Sequence, residues 1–433
     1  MGTLTSNFEA IKTQPVLVLA VVYGIAMPII SAIIYPNYSH TMGVAWYEYS
    51  RLLELPFVIS QVGVIIWSMR SGFSLADYWR SMPKDIKVAF LLFIVSMFIS
   101  STLFSTRPSQ TILMSWIVFL QPIFGLAVYH LVKTHSWKHT IQFLKLHGWG
   151  LVLLLALTVY WWSFPPAENE VPGGVIEWAS ALPGFISVRH FGAWTGAIAA
   201  GFAIKILFDD NEELDQYHLW YFLAASMTVW SGTRAAILAM VVVFLIVVVA
   251  TRSVPSARAL GRACLLTGAA LVVAYLLIPD VRAFWLYWPG DEASFRAATG
   301  GRTELWRQTF LKWIESPWLG WGTGSTFWEV YIGWPHTQPH NVVLQFLMNW
   351  GLFGAIGAFW LIGRAIKLLH GPSLADPIRL SLLAMLYALL LQSLLEGMLH
   401  YPRFIISILI LIACLFALAK GDGLAKAPQT KTP

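Results

Sequence analysis

Uninterrupted apolar runs, each long enough to cross a bilayer, recur along this chain from one end to the other. A transmembrane helix needs about 17–25 mainly apolar residues, and by this criterion we predict about twelve such helices. They lie near residues 15–34, 46–68, 87–104, 111–132, 146–163, 190–208, 217–232, 234–251, 261–279, 340–363, 378–398 and 403–420. Transmembrane β-strands would be short and would alternate apolar with polar residues, so the continuous runs favour helices. The chain is 57% hydrophobic and only 12% charged, which excludes an ordinary soluble domain.

Basic residues suggest how the helices are oriented. Most Lys and Arg outside one long loop fall in segments that face the cytoplasm if the N-terminus lies inside, as the positive-inside rule requires. The acidic segment 209–215 counts little in that rule. We therefore expect both termini in the cytoplasm, and the first apolar run to be kept as a helix because no small-residue cleavage site follows it. This divides the chain into helices 1–9 (residues 1–279), an outer loop domain (280–339), helices 10–12 (340–420) and a cytoplasmic tail (421–433).

Composition also argues against several kinds of site. Cys264 and Cys414 fall inside predicted helices, so we expect no disulfide framework and no structural zinc site. The net charge of +6 comes mainly from loops that flank the membrane, which argues against nucleic-acid binding. The outer segments contain no Asp-x-Asp, and their acids form no convincing ligand set (Glu168, Glu170, Asp280, Asp291 and Glu292). We predict a site without metal or other cofactor.

Four cationic or ionisable residues stand where helices are predicted to enter the membrane from outside: Arg189, Arg234, His340 and Arg403. A cation at a helix N-terminus opposes the helix dipole unless an anion lies there as well. The free N–H groups at such an end are themselves anion donors. The recurrence predicts a phosphate-bearing substrate at the outer membrane face. The alternative is that these arginines extend to lipid headgroups.

Neighbouring residues refine these helix starts. Pro339 suits the first turn of a helix, and the Thr233 hydroxyl is expected to cap the helix that begins at Arg234. Arg51 shares one helical face with Glu48 and Glu54, which predicts an ion-pair cluster that fixes packing rather than a ligand site.

The long outer loop carries its own helical pattern. Apolar residues from Leu305 to Ile314 recur at helical spacing after Arg302, which predicts an amphipathic helix on the bundle or in the membrane interface. Gly300 and Gly301 just before Arg302 are compatible with a phosphate cradle. The stretch from Trp318 to Trp328 is rich in glycine and tryptophan. Its rings suit either the membrane interface or the stacking of sugars.

These motifs, in this order, resemble those of a known family. They are Ser231-Gly-Thr-Arg-Ala-Ala236, Gly301-Arg302 with Trp306, His340-Asn-Val-Val-Leu-Gln345, and Gly351-Leu-Phe-Gly354. Over about residues 185–400 the chain resembles the O-antigen ligase and polymerase superfamily, and within it the bacterial lipopolysaccharide O-antigen ligases. The resemblance implies an all-α polytopic membrane protein of GT-C-like glycosyltransferase architecture in the bacterial inner membrane. Its active site would face the periplasm.

The resemblance also implies substrates and site residues. The donor would be a polysaccharide on undecaprenyl pyrophosphate, and the acceptor would be lipid A–core oligosaccharide. His340 would be the general base, and Arg234 and Arg189 would contact the pyrophosphate. We expect substrate contacts from Arg302, Arg403, Asn341, Thr233, Trp306 and His336.

The expected reaction is a single, metal-independent displacement that inverts the anomeric configuration. Two alternatives stay open. One is an O-antigen polymerase that joins undecaprenyl-pyrophosphate-linked repeat units, since fold and core motifs do not separate the two enzymes. The other is a transporter or flippase for an anionic lipid, which predicts inverted repeats and charges near the bilayer midplane.

Overall fold

The computed structural model describes residues 15–26, 54–133, 138–164, 170–171, 175–176, 188–209, 214–277, 302–333, 336–374 and 376–425. Glu48, Arg51, Gly300 and Gly301 lie outside these residues, so the predictions of an ion-pair cluster around Arg51 and of a glycine cradle stay predictions.

Helices form most of the described chain. The first half contains α1 (Pro15–Ala20), α2 (Leu55–Arg70), α3 (Leu75–Ser81), α4 (Lys84–Ile99), α5 (Pro108–Lys133), α6 (Lys138–Ser163), α7 (Val188–Phe208) and α8 (Gln216–Trp230). The second half contains α9 (Arg234–Thr251), α10 (Ala257–Leu277), α11 (Arg302–Ile314), α12 (Thr326–Glu329), α13 (Val342–Ser373), α14 (Pro377–Gln392) and α15 (Pro402–Ala425). Strands β1 (Glu170–Val171) and β2 (Val175–Ile176) form a small antiparallel hairpin in which Glu170 pairs with Ile176.

Within the described ranges, eight helices are long and apolar enough to cross a membrane. They are α4, α5, α6, α7, α9, α10, α13 and α15. The bent pair α2–α3, which turns through 82°, makes a ninth if it counts as one span. The predicted spans 217–232 and 378–398 correspond to the shorter helices α8 and α14, of 15 and 16 residues. The fold class predicted from the sequence, an all-α polytopic membrane protein, is confirmed.

Helix α7 lies at the centre of the bundle and packs against α8, α9 and α14. Its sequence is rich in Gly and Ala, and small residues let membrane helices approach closely. A Cβ atom added to Gly192 would lie 2.1 Å from the Thr233 hydroxyl, and one added to Gly196 would lie 2.8 Å from the Ala236 Cβ. These contacts set the start of α9 against the start of α7.

The same contact overturns the predicted cap of α9. Thr233 is the N-cap residue, but its side chain makes no capping hydrogen bond. Its hydroxyl instead donates to the Val188 carbonyl, 3.2 Å away, and accepts from the Ser231 hydroxyl at 2.9 Å. The tight packing on Gly192 turns this hydroxyl toward α7, so it links the start of α9 to the start of α7 instead of capping α9.

The glycine- and tryptophan-rich stretch packs into the bundle, where Gly351 interrupts α13. Gly351 has φ 61° and ψ −168°, which is not a helical conformation. The backbone N–H of Trp321 donates to the Met348 carbonyl at 2.8 Å, and that of Leu352 donates to the Pro317 carbonyl at 2.8 Å. The break in α13 thus exposes backbone groups that the loop satisfies.

Buried hydroxyls complete this junction. The hydroxyls of Ser101 and Ser115 lie 2.8 Å apart, and that of Ser115 lies 2.7 Å from the Thr323 hydroxyl. The Trp350 indole N–H also donates to Thr323. Because buried polar groups are costly unless they are paired, this network specifies one position for the loop.

A second buried polar contact joins α15 to the start of α2. The Arg403 guanidinium donates from Nε to Glu54 at 2.8 Å, and the Arg403 backbone N–H donates to the other carboxylate oxygen at 3.1 Å. The side chains of Arg403 and Glu54 are 4% and 0% exposed. The guanidinium also lies over the Phe57 ring.

Candidate active site

Several segments that are distant in sequence meet at one end of the bundle. The segment 336–341 lies between α11 and the turn that follows α14. The Trp306 indole N–H of α11 donates to the Pro339 carbonyl at 2.8 Å. The backbone N–H of Val342 donates to the Ser393 carbonyl at 2.9 Å. The Gln392 side chain extends this contact to the Ala193 carbonyl of α7.

His340 lies at the centre of this meeting point, two residues before the first residue of α13. Asn341 is the N-cap, and its side-chain oxygen accepts from the N–H groups of Val343 and Leu344. The prediction that Pro339 occupies the first turn was therefore wrong, because the strong Asn341 cap sets the helix start after it. His340 has φ 54°, a left-handed backbone conformation that is uncommon for a residue other than glycine.

Glu396 is the partner of His340 that the sequence analysis missed. Its carboxylate oxygen Oε2 lies 3.3 Å from His340 Nδ1, and its other oxygen accepts from the Arg302 guanidinium. Its side chain is 3% exposed, whereas those of His340 and Arg302 are each 19% exposed. The buried acid is therefore hydrogen-bonded to Arg302 and lies within 3.3 Å of His340. The signal that was available is an acid at the end of an apolar run, a residue type that is rare and usually functional in membrane helices.

The charges around Glu396 keep it ionised. Burial alone would raise the pKa of its carboxyl group, but the His340 hydrogen bond and the charges of Arg302 and Arg189 outweigh burial and lower it to about 2. For Arg302, burial lowers the pKa of the guanidinium, and the charges of Arg189 and Arg234 lower it further against the opposing effect of Glu396. Arg189 and Arg234 are thus close enough to Arg302 to act on its ionisation.

The site therefore brings together Arg189, Arg234, Arg302 and His340, four of the residues predicted from sequence. Arg189 is the second residue of α7 and is half-buried, and Arg234 is the first residue of α9 and is exposed. Glycine packing at Gly192 holds these two helix starts together. Arg302 is the first residue of α11.

Burial favours the neutral form of both histidines of the segment. Burial lowers the pKa of His340 below its ordinary value, against the raising effect of Glu396. Burial, His340 and Arg189 lower the pKa of His336 to about 4. A neutral imidazole is the form that can accept a proton.

Other predicted substrate contacts are engaged elsewhere. The Arg403 guanidinium is buried against Glu54, and the Thr233 hydroxyl joins α9 to α7. The Asn341 amide caps α13 and donates to the Leu394 carbonyl, and the Trp306 indole N–H holds Pro339. As substrate contacts, these four side chains stay predictions. His336 is half-buried, with its ring centroid 6.1 Å from that of His340.

No group of three or more His, Cys, Asp and Glu side chains among the described residues is arranged to hold a metal ion. Metal independence stays a prediction about the reaction.

The fold and the cluster of charged side chains define a class: a multi-pass, all-α membrane protein with a cationic, histidine-containing site at one end of its helix bundle. A family model described as O-antigen ligase matches residues 219–359, from α8 to the middle of α13. This match confirms the similarity of the chain to the O-antigen ligase and polymerase superfamily. A comparison with curated proteins found no match.

The match has consequences for function and for the site. It indicates an O-antigen ligase or polymerase-like function, and with it lipid-linked polysaccharide substrates within a membrane. Arg234, Arg302 and His340 lie inside the matched range, whereas Arg189 and Glu396 lie outside it. Glu396, from outside the matched range, contacts Arg302 and His340 inside it, and the charge of Arg189 acts on Glu396.

Proposed function

We propose that the protein is a periplasm-facing, inverting glycosyltransferase that moves O-antigen polysaccharide from undecaprenyl pyrophosphate to lipid A–core oligosaccharide. One observation carries the proposal. His340 lies 3.3 Å from the buried Glu396 carboxylate, which also binds Arg302, and the starts of three helices bring Arg189, Arg234 and Arg302 close enough to interact. A base and a diphosphate-binding surface are the two parts that this transfer requires.

The arginines would stabilise the leaving group. As the bond between the anomeric carbon and the pyrophosphate oxygen breaks, negative charge grows on undecaprenyl pyrophosphate. Arg189, Arg234 and Arg302 can each present a planar fork of donors to phosphate oxygens. Such preorganised donors stabilise developing charge strongly where water is excluded. The N-termini of α7 and α9 add oriented dipoles of the same sign.

His340 would act on the acceptor. The acceptor hydroxyl oxygen attacks the anomeric carbon while its proton passes to His340 Nε2, the ring nitrogen that Glu396 does not contact. Glu396 stabilises the imidazolium that forms. Because the new bond forms opposite the breaking one, the anomeric configuration inverts, and the activated donor supplies all the energy needed.

An apolar groove between four helices suits the polyprenyl chain. It has a volume of about 350 Å³ and lies between α6, α7, α8 and α10, with Val159, Leu223 and Leu277 in its lining. Trp230, the last residue of α8, also lines it, and Arg234 follows four residues later. A lipid chain in this groove would place its pyrophosphate end beside Arg234.

The test is reconstituted transfer. Purified protein is mixed with undecaprenyl-pyrophosphate glycan and lipid A–core in the presence of EDTA, and the product is separated on a gel. We expect glycan-bearing lipid A–core from the native protein and a loss of about 10²–10⁴-fold in His340→Ala, the typical contribution of a general base. His370→Ala is the matched control, because His370 lies at the far end of α13 and contacts Tyr387.

Other outcomes would contradict parts of the proposal. Longer glycans on undecaprenyl pyrophosphate, formed without lipid A–core, would identify a polymerase. Movement of intact donor across a proteoliposome membrane without covalent transfer would identify a transporter. Recovery of activity only with added Mg²⁺ or Mn²⁺ would overturn metal independence, and retained configuration would rule out one-step displacement.

A further inference from the structure

Gln338 is a buried amide that contacts His340 twice. Its side-chain oxygen accepts the backbone N–H of His340, and its Nε2 lies 2.9 Å from His340 Nδ1. Only 1% of the residue is exposed. The first contact ties the side chain to the strained backbone of His340, and the second reaches the imidazole itself.

The turn after α14 is shaped to admit this amide. A Cβ atom added to Gly397 would lie 2.1 Å from the Gln338 Cδ and 2.3 Å from its Nε2 and Oε1. Gly397 has φ −84°, a value open to any residue, so its backbone conformation does not require glycine. Glycine at position 397 therefore serves only to leave room for the Gln338 side chain. Gly397 follows Glu396 directly, so one turn supplies both the carboxylate and the room for the amide.

His340 Nδ1 therefore faces two partners with opposite demands. The Glu396 carboxylate, at 3.3 Å, can only accept, so it needs a proton on Nδ1. Gln338 Nε2, at 2.9 Å, can only donate, so it needs a lone pair on Nδ1. Turning the amide over would remove this conflict, but it would set a donor against the His340 backbone N–H. A neutral ring satisfies one partner at a time.

We infer that Gln338 is a positioning residue that controls which ring nitrogen of His340 carries the proton. In the resting site the closer Gln338 contact keeps the proton on Nε2. Transfer of the Nδ1 contact to Glu396 puts the proton on Nδ1 and frees the Nε2 lone pair as the base. Gln338 thus opposes protonation of the ring, and Glu396 favours it.

The other titratable groups around the ring are not altered by changes at Gln338. From the surrounding elements they are Glu396, Arg302 of α11, Arg189 and His190 of α7, and His336 of the same segment. In Gln338→Met, which adds no charge, a change in the titration of His340 therefore reports the lost N–H donor, whereas in Gln338→Glu the new carboxylate adds to the effect.

The test compares Gln338→Glu and Gln338→Met with the native protein. The Gln338→Glu variant would keep an acceptor for the His340 backbone N–H and replace the donor to Nδ1 by a second acceptor. The Gln338→Met variant would fill the space without polar hydrogen-bonding groups. Gln345→Met is the matched control, because Gln345 is a buried amide of α13 that contacts the Leu399 carbonyl. Nitrogen-15 NMR of histidine-labelled protein, with His340→Ala to assign the signal, reports the tautomer without any substrate.

We expect the Nε2–H form of His340 in the native protein and in Gln345→Met, and the Nδ1–H form in both Gln338 variants. In the pH–rate profile of transfer, the acid limb, where the rate falls as His340 becomes protonated, should move to higher pH in both variants, and more in Gln338→Glu. An unchanged tautomer in both variants overturns the inference. The pH readout depends on the proposed function and the NMR readout does not, so an inactive native protein with the expected spectra would sink only the proposed reaction.

Discussion

Glu396 shows how one buried charge can organise two working groups. It holds Arg302 through one carboxylate oxygen and His340 through the other, and it is more buried than either. A buried carboxylate is stable only when such partners compensate its desolvation. The pair is therefore a requirement of the fold as well as a means of orienting the base.

Glu396→Gln should move the acid limb of the pH–rate profile. The negative charge of Glu396 raises the pKa of His340, so removing that charge lowers the pKa and shifts the limb to lower pH. The rate on the plateau should also fall, but by less than the loss of about 10²–10⁴-fold expected when the base itself is removed. The profile is measured with the reconstituted transfer assay.

The pH–rate profile should move to lower pH in Glu396→Gln and to higher pH in the Gln338 variants, so the direction of the shift distinguishes the two roles. A rate that falls equally at every pH, with the limb unmoved, would assign Glu396 a purely structural role. Thermal unfolding in detergent is the control, because the variants at both positions must be folded for the comparison to hold.

Among individual residues, the sequence predicted the cations of the site better than the side chains that contact them. Arg189, Arg234, Arg302 and His340 stand out because charge is rare in apolar runs, and the structure brings them close enough to interact. Glu396 was missed because its partners Arg302 and His340 lie far from it in the sequence. Gln338 was missed because its contact with His340 depends on local backbone geometry that no sequence pattern reveals. Arg403 was noticed for the same reason as the other cations, but its partner Glu54 lies 349 residues away, and that pairing leaves no local trace.

Among the elements, α13 departs most from what periodicity predicts. Its apolar run continues through Gly351, yet the backbone there has φ 61°. A Cβ atom added to Gly351 would lie 2.2 Å from the carbonyl carbon of Trp318 and 2.3 Å from the Leu319 nitrogen. The run predicts the helix but not the break, because the break depends on a loop that contacts it from elsewhere in the chain.

Gly351→Ala should destabilise the protein and release the loop. The strained φ alone is worth about 1–3 kcal/mol for a residue with a side chain, and the clash with backbone adds to it. We expect a lower melting temperature in detergent and faster cleavage by trypsin after the exposed Arg307 of α11. Gly363→Ala, on the same helix with no atom within 4 Å of the added Cβ, is the matched control.

The control should be neutral or slightly stabilising, since alanine is the better helix former. Equal melting temperatures for native protein and Gly351→Ala would mean that the loop does not depend on the break in α13.

For the whole molecule, the site residues lie at a single end of the bundle. Length and apolar composition predicted the spans because a membrane helix must satisfy its own backbone and present apolar side chains to lipid. The orientation that the distribution of Lys and Arg predicts stays a prediction. How the helices pack against each other was not predictable, because small residues such as Gly192 and Gly196 indicate a close contact but not which helix makes it.

Labelling from one side of the membrane tests the orientation. In a variant without Cys264 and Cys414, we place a single cysteine either at Thr303, beside Arg302, or at Ser253, just after α9; both positions are exposed. An impermeant maleimide added to spheroplasts should label Thr303→Cys and leave Ser253→Cys unlabelled until the membrane is opened. Labelling of both, or of Ser253→Cys alone, would contradict a periplasmic site.

The contact between Glu54 and Arg403 has a consequence for biogenesis. The ribosome makes α2 before α15, so the Glu54 carboxyl group is part of the nascent chain long before its Arg403 partner has been made. Until then only solvent and groups from the earlier part of the chain are available to offset the desolvation of that carboxylate. Arrival of α15 thus completes a charge pairing that begins at α2, and a chain truncated before Arg403 would lack the guanidinium that binds Glu54.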